Sequence, residues 1–161
     1  MPELPEVETI AQALGASEII GSPIKEIAVF WEKTVGGDAK HFCKKMEGRR
    51  ILSLSRRGKY LIFTLDAPYS LVVHLRMSGQ FYLRTPAVKA SIHEQVVFTI
   101  KNTSLHFHDP RKFGRMYLSD DLENFFAHLG SEPLSVRWTP SLGQLFRLKL
   151  FASSVIWGAG A

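Results

Sequence analysis

Cysteine is nearly missing from this 161-residue chain: Cys43 is the only one. A single thiol excludes an internal disulfide and any multi-cysteine metal site. No apolar run reaches the 18 residues that a membrane-spanning helix needs. Internal repeats and low-complexity tracts are also lacking. The opening residues carry no basic stretch leading into an apolar one, so they do not read as a secretory signal, and the expected compartment is the cytoplasm. Six histidines are scattered without metal-ligand spacing. What is present is an ordinary globular composition, 45% apolar and 22% charged, long enough for one domain with a real core.

The formal net charge is +5, and its position is more telling than its size. The segment KKMEGRRILSLSRRGK (44–59) holds seven Lys/Arg against one Glu, so the remainder is close to neutral. Ile51, Leu52 and Leu54 lie between its basic pairs, which suggests charges flanking a strand. Such a segment is either a solvated basic surface or a stripe that tracks phosphates, where counterion release drives binding to nucleic acid.

Periodicity predicts a mainly β chain with flanking helices. Val7, Ile10, Ala11 and Leu14 repeat at helical spacing after Pro5, giving a helix over about 5–15. IKEIAVFW (24–31) reads as a strand, and 38–46 as a short helix capped by Asp38. Seven further strands follow between 49 and 120, punctuated by Gly58, Ala67-Pro68, Gly79, a loop over 85–92, Asn102-Thr103 and Asp109-Pro110. The expected architecture is an antiparallel two-layered sandwich or barrel. Residues 119–130 read as a helix after the sheet, and 139–157 as another.

Three features could carry chemistry. The first is the start, MPELPEVETI. Removal of Met1, favoured by a small second residue, would leave Pro2 as a secondary amine. An α-amino group with a pKa near 8 is about one-tenth neutral at neutral pH, far more than a lysine. Attack on an aldehyde-like carbon would give a cationic iminium, an electron sink that acidifies neighbouring C–H bonds. Glu3 and Glu6 lie close enough in sequence to pass protons beside that amine. The same residues also suit a plain helix entry with acids at the positive end of the dipole. The second feature is a pair of turns, HLRMSGQF (74–81) and HDPRKFGR (108–115), each setting a large apolar residue, Met77 or Phe113, beside an arginine, Arg76 or Arg111. On exposed tips these would be wedges between stacked bases; on strands they would face the core. The third is Lys59, either a phosphate contact or solvated. His74, His93, His106 and His108 read as surface or satisfied core residues.

Together the pieces resemble one family. PELPEVET, RRGKYL (56–61), HLRMSG (74–79), DPRKFG (109–114) and LGSEPLS (129–135) look like the formamidopyrimidine-DNA glycosylases, in that order and at similar spacing. The endonuclease VIII group also begins Pro-Glu, but the Leu-Pro-Glu-Val-Glu continuation favours the former. The resemblance implies a two-layered β-sandwich with helices, and a DNA base excision repair enzyme for 8-oxoguanine and formamidopyrimidines. That enzyme would excise the base and cleave the backbone by β,δ-elimination. It implies Pro2 as the nucleophile at C1′, Glu3 as the proton donor that opens the sugar, Glu6 as a supporting carboxylate and Lys59 as a phosphate ligand assisting elimination. Met77, Arg111 and Phe113 would fill the void left by the extruded base, with Arg111 facing the orphaned partner. His93 is the candidate for a phosphate-contacting histidine, in less distinctive surroundings. The implied partner is damaged double-stranded DNA, bound by a monomer without a membrane.

The resemblance covers 2–135, the expected catalytic domain, and 136–161 reads as a divergent helical tail. Family members continue into a helix-two-turn-helix and a four-cysteine zinc finger. With Cys43 alone, no zinc or other cofactor is expected here. The expectation is an intact nucleophile beside a missing part of the DNA clamp: abasic-site lyase action with weak base excision. Two alternatives stay open, a non-catalytic DNA-binding remnant and one half of a split enzyme with a separately encoded second half. A tautomerase with an N-terminal proline base is disfavoured, because there the proline leads into a strand.

Overall fold

The computed structural model describes residues 4–127. Among them, the chain runs α1 (Leu4–Gly15), β1 (Ile24–Val29), a short 3-10 turn (Glu32–Thr34) and α2 (Ala39–Met46). Then follow β2 (Ile51–Arg57), β3 (Tyr60–Leu65), β4 (Ser70–His74), β5 (Gln80–Arg84), β6 (Glu94–Ile100), β7 (Thr103–His108), β8 (Arg115–Ser119) and α3 (Leu122–Ala127). The strands form two antiparallel four-stranded sheets, ordered β1-β6-β7-β5 and β2-β3-β4-β8. This is the expected mainly β sandwich with helices at its start and after its strands. The expected boundary at 135, the tail over 136–161 and the helix over 139–157 lie outside the described residues.

Burial explains the layering. Alternate residues of the two sheets face each other, and Phe63, Phe81, Phe98 and Phe107 fill the space between. Phe81 touches both Phe63 and Phe107, with ring centroids 5.7 and 5.1 Å apart. Helix α1 adds Val7, Ile10, Ala11 and Leu14, all buried, to the same core. Burying a large aliphatic side chain is worth roughly 1.5–3 kcal/mol relative to leaving it exposed. That gain fixes α1 against β2, and the Glu8 carboxylate secures it by accepting from Arg56 Nε at 2.6 Å. Helix α2 begins at Asp38, whose carboxylate accepts the Lys40 N–H at 3.0 Å. Asp121 caps α3 in the same way, accepting from Asn124 N–H at 3.0 Å. Tyr60, Tyr117, Phe125 and Phe126 then join α3 to the outer face of the second sheet.

Two departures from the sequence reading have physical causes. The first strand ends at Val29, because the Phe30 and Trp31 amides both turn onto the Gln95 carbonyl. The charges of segment 44–59 flank a strand, as expected, but do not form one continuous stripe. Strand β2 runs through its middle, and at about 3.3 Å per residue it separates the two basic halves by roughly 20 Å. Lys44, Lys45, Arg49 and Arg50 stay at one end of the sandwich, and Arg56, Arg57 and Lys59 lie at the other.

Candidate nucleic-acid interface

Strand register decides which side chains share an end of the sandwich. Tyr60 opposes His74, and His74 opposes Arg115 in one sheet. In the other, His108 opposes both Gln80 and Glu94. The connections leaving this end are therefore the Gly58-Lys59 hairpin turn, Leu75–Gly79, the residues before Glu94, and Asp109–Gly114. They carry Lys59, Met77, His93, Arg111 and Phe113. The Glu8–Arg56 pair brings the first turn of α1, with exposed Glu6, to the same end. Pro2 and Glu3 lie outside the described residues.

The hairpin turn works because Gly58 supplies φ 62° at the first central position, with Lys59 second. Lys59 sits near enough to His74 to act on its charge. Burial first, then the Arg76 and Lys59 charges, push the His74 pKa down to about 4, so the imidazole is neutral at pH 7. Its Nδ1 accepts the Arg76 N–H at 3.0 Å, which leaves the proton on Nε2.

The two crossover turns are built alike. Each passes from one sheet to the other, and each holds a basic residue in the left-handed region: Arg76 at φ 57° and Lys112 at φ 59°. Next in each comes an apolar side chain that points to solvent, Met77 at 48% exposure and Phe113 at 51%. The core alternative for these two residues is thereby excluded. Sparsely populated backbone of this kind persists only where surroundings enforce it. His74 enforces it at Arg76. At Lys112 the enforcing contacts are the Asp109 carbonyl, accepting its N–H at 3.1 Å, and the Trp31 ring, 4.3 Å beneath its ammonium.

Both turns rest on the end of β7. A Cβ at Gly79 would fall 2.5 Å from the Leu75 carbonyl oxygen and 3.0 Å from the Phe107 ring. A Cβ at Gly114 would fall 2.5 Å from that ring and 2.9 Å from Asp109 Oδ2. Neither position has room for a side chain, which is the physical reason for glycine in HLRMSG and DPRKFG. Asp109 itself is fully buried. Its Oδ1 accepts the Ser78 hydroxyl at 2.6 Å and its Oδ2 the Gly114 N–H at 2.7 Å. Its N–H donates to the His93 carbonyl at 2.8 Å, so His93, exposed, borders the same turn. Gln95 Nε2 donates to the carbonyls of both Asp109 and His93.

This end therefore combines cations, two apolar tips and a first helical turn on a rigid buried base. Such a surface can track phosphates and push side chains between bases. The family model for the formamidopyrimidine-DNA glycosylase N-terminal domain matches residues 1–116. The chain belongs to the formamidopyrimidine-DNA glycosylase family. The formamidopyrimidine-DNA glycosylase of Protochlamydia amoebophila is 45% identical over 141 residues, covering 86% of this chain and 51% of that protein. The one from Lactobacillus gasseri is 36% identical over 160 residues, covering 96% of this chain and 55% of that protein. Lactococcus lactis Fpg, solved with DNA containing N7-benzyl-Fapy-dG, has a TM-score of 0.76 at 34% identity over 79% of this chain and 48% of its own. The same protein with abasic-site DNA gives 0.75 at 33%. The chain spans about half the length of the relatives it matches.

Several glycosylase-family residues that build this end were not singled out from sequence. Asp109 before a proline reads as a turn former, and only its burial reveals the brace. His74 is the satisfied core residue that was one of its two expected readings, and its added part is to orient Arg76. His106 departs from the expectation of a surface or satisfied core residue. It is buried, with neither ring nitrogen hydrogen-bonded among the described residues; its Nδ1 stands 3.6 Å from Glu94 Oε1. Among the described residues no three His, Cys, Asp or Glu gather as a metal site. No helix among the described residues is long and apolar enough to cross a membrane.

Proposed function

We propose that this chain is a DNA base excision repair glycosylase and abasic-site lyase acting on oxidised purines in double-stranded DNA. The observation that carries the reading is the register: Lys59, Met77, His93, Arg111, Phe113 and the first turn of α1 converge on one end of the sandwich. Met77 and Phe113, half exposed on braced turns, fill the gap left by an extruded nucleotide, while Arg111 meets the partner base. Lys59 and His93 contact phosphates around the lesion.

Met1 is removed, and the Pro2 nitrogen attacks C1′ of the extruded nucleotide. The bond from C1′ to the base breaks, and the base leaves with a proton. Glu3 protonates the ring oxygen, and the sugar opens to an iminium between Pro2 and C1′. Loss of a C2′ proton expels the 3′ phosphate, and a second elimination expels the 5′ phosphate. Water then hydrolyses the iminium and frees the amine. Glu6 supports the proton traffic, and Lys59 stabilises the departing phosphate charge.

Borohydride reduction tests this reading. Mixed with a duplex bearing one abasic site, the chain should form a reduced adduct that mass spectrometry maps to the Pro2 nitrogen. A folded protein, confirmed to lack Met1, that binds the duplex without any adduct would overturn the lyase assignment.

A further inference from the structure

Met77 and Phe113 belong to turns that are 31 residues apart, measured from Ser78 to Asp109, yet one buried carboxylate joins them. Asp109 accepts from the residue after Met77 through Oδ1 and from the residue after Phe113 through Oδ2. Ser78 answers from its side: its oxygen accepts the Arg111 N–H at 3.3 Å while its own proton goes to Asp109. The Phe107 ring closes the base from below, in contact range of both glycines. Both Asp109 carboxylate oxygens and the Ser78 hydroxyl are thus engaged, and the brace ties the two exposed turns together.

We infer that Asp109 and Ser78 are positioning residues that make the two turns one rigid wedge. Met77, Arg111 and Phe113 then enter DNA together, at a spacing set before contact. The inference rests on the DNA-repair reading above and deepens it: neither Asp109 nor Ser78 touches DNA. Preorganisation is the expected benefit, because tips ordered in advance lose less freedom on insertion. Removing the Ser78 hydroxyl leaves a buried carboxylate oxygen without its donor and frees the Arg111 amide. A charge-assisted bond of this kind is worth about a factor of ten.

The test compares the chain with Ser78→Ala and with Ser78→Thr, which keeps the hydroxyl. Each is trapped by borohydride on the same abasic oligonucleotide, once as a duplex and once as a single strand. A single strand has no stack to wedge, so its trapping reports only the chemistry. Ser78→Ala should lower the duplex-to-single-strand ratio about tenfold, and Ser78→Thr should restore it. A purely structural role would lower both substrates alike and leave the ratio unchanged, which would overturn the inference, as would equal loss in the two variants. Should the parent chain trap neither substrate, the lyase reading fails separately. Amide hydrogen exchange without DNA then decides the brace. Faster exchange at Arg111 and Gly114 in Ser78→Ala, but not in Ser78→Thr, supports it; unchanged exchange overturns it.

Discussion

The two ends of the sandwich are both basic, yet they are built differently. At the far end, Arg50 donates to the Gly21 carbonyl, and its own N–H is received by Asp66. Lys45 and Arg49 lie over the Tyr69 ring at 5.1 and 5.8 Å. Those cations are spent on holding α2 and the start of β2 in place. At the near end the buried Asp109 carboxylate serves the Ser78 hydroxyl and the Gly114 N–H, while Arg76, Arg111 and Lys112 share the two turns with exposed Met77 and Phe113. A net positive segment therefore does not make an interface by itself. What distinguishes one is a buried polar base that holds charged and apolar tips at the surface.

The largest expected effect breaks that base. Gly114→Ala forces a methyl to 2.5 Å from the Phe107 ring and 2.9 Å from Asp109 Oδ2. Overpacking of this kind costs about 1–3 kcal/mol. At the far end, Gly48→Ala meets nothing within 4 Å, and only its φ of 83° opposes a side chain, at about 1–2 kcal/mol. Urea unfolding should show a lower midpoint for both. Duplex DNA affinity, measured where each variant is fully folded, should fall only for Gly114→Ala. Equal losses of affinity would erase the distinction between the ends.

Charge removal should be smaller but cleaner. Lys59→Ala should weaken duplex binding and reduce the slope of log affinity against log salt by about one, as for a phosphate contact. Lys45→Ala removes the same charge from the far end and should leave that slope within error. A salt titration of both, by fluorescence anisotropy, compares them directly. Identical slopes would mean that binding follows net charge rather than placement.

Much of this fold was legible in the chain. Val7, Ile10, Ala11 and Leu14 announced α1 by spacing alone, and each is buried. Asp38 announced the start of α2, and the alternating runs announced the strands. Local physics governs those features, so a local reading finds them. The assembly of the site was not local. Lys59, His93 and Arg111 share an end only because β3, β4, β5, β6, β7 and β8 pair in a particular register. Asp109 looked like a turn residue because its partners Ser78, Gln95 and His93 are distant or are backbone atoms. The strand inside segment 44–59 was legible from Ile51, Leu52 and Leu54, but which basic half shares an end with the turns follows only from the pairing of β2 with β3. The resemblance supplied the candidate residues, and register supplied their proximity.

The smallest effect expected is a pH dependence located at the near end. Folding lowers the His74 pKa from about 6.5 to about 4, through burial first and then Arg76 and Lys59. Between those values the unfolded chain binds more protons than the native one, so stability rises with pH across the window. The contribution is fully present above about pH 6.5 and is lost as pH falls toward 4. His106 is lowered as well, by burial first, and acts with the same sign. Glu94, held low by Ser91, Arg84 and His108 despite its burial, also loses stabilisation on acidification. The total pH slope therefore belongs to several groups, and a difference between variants is needed. His74→Gln keeps an acceptor for the Arg76 N–H but cannot titrate. Its urea midpoint should drop less than that of the parent chain between pH 7 and pH 4.5. A parallel drop in the two would show that the proton enters elsewhere, and the near end would lose its claim to a neutral, orienting histidine.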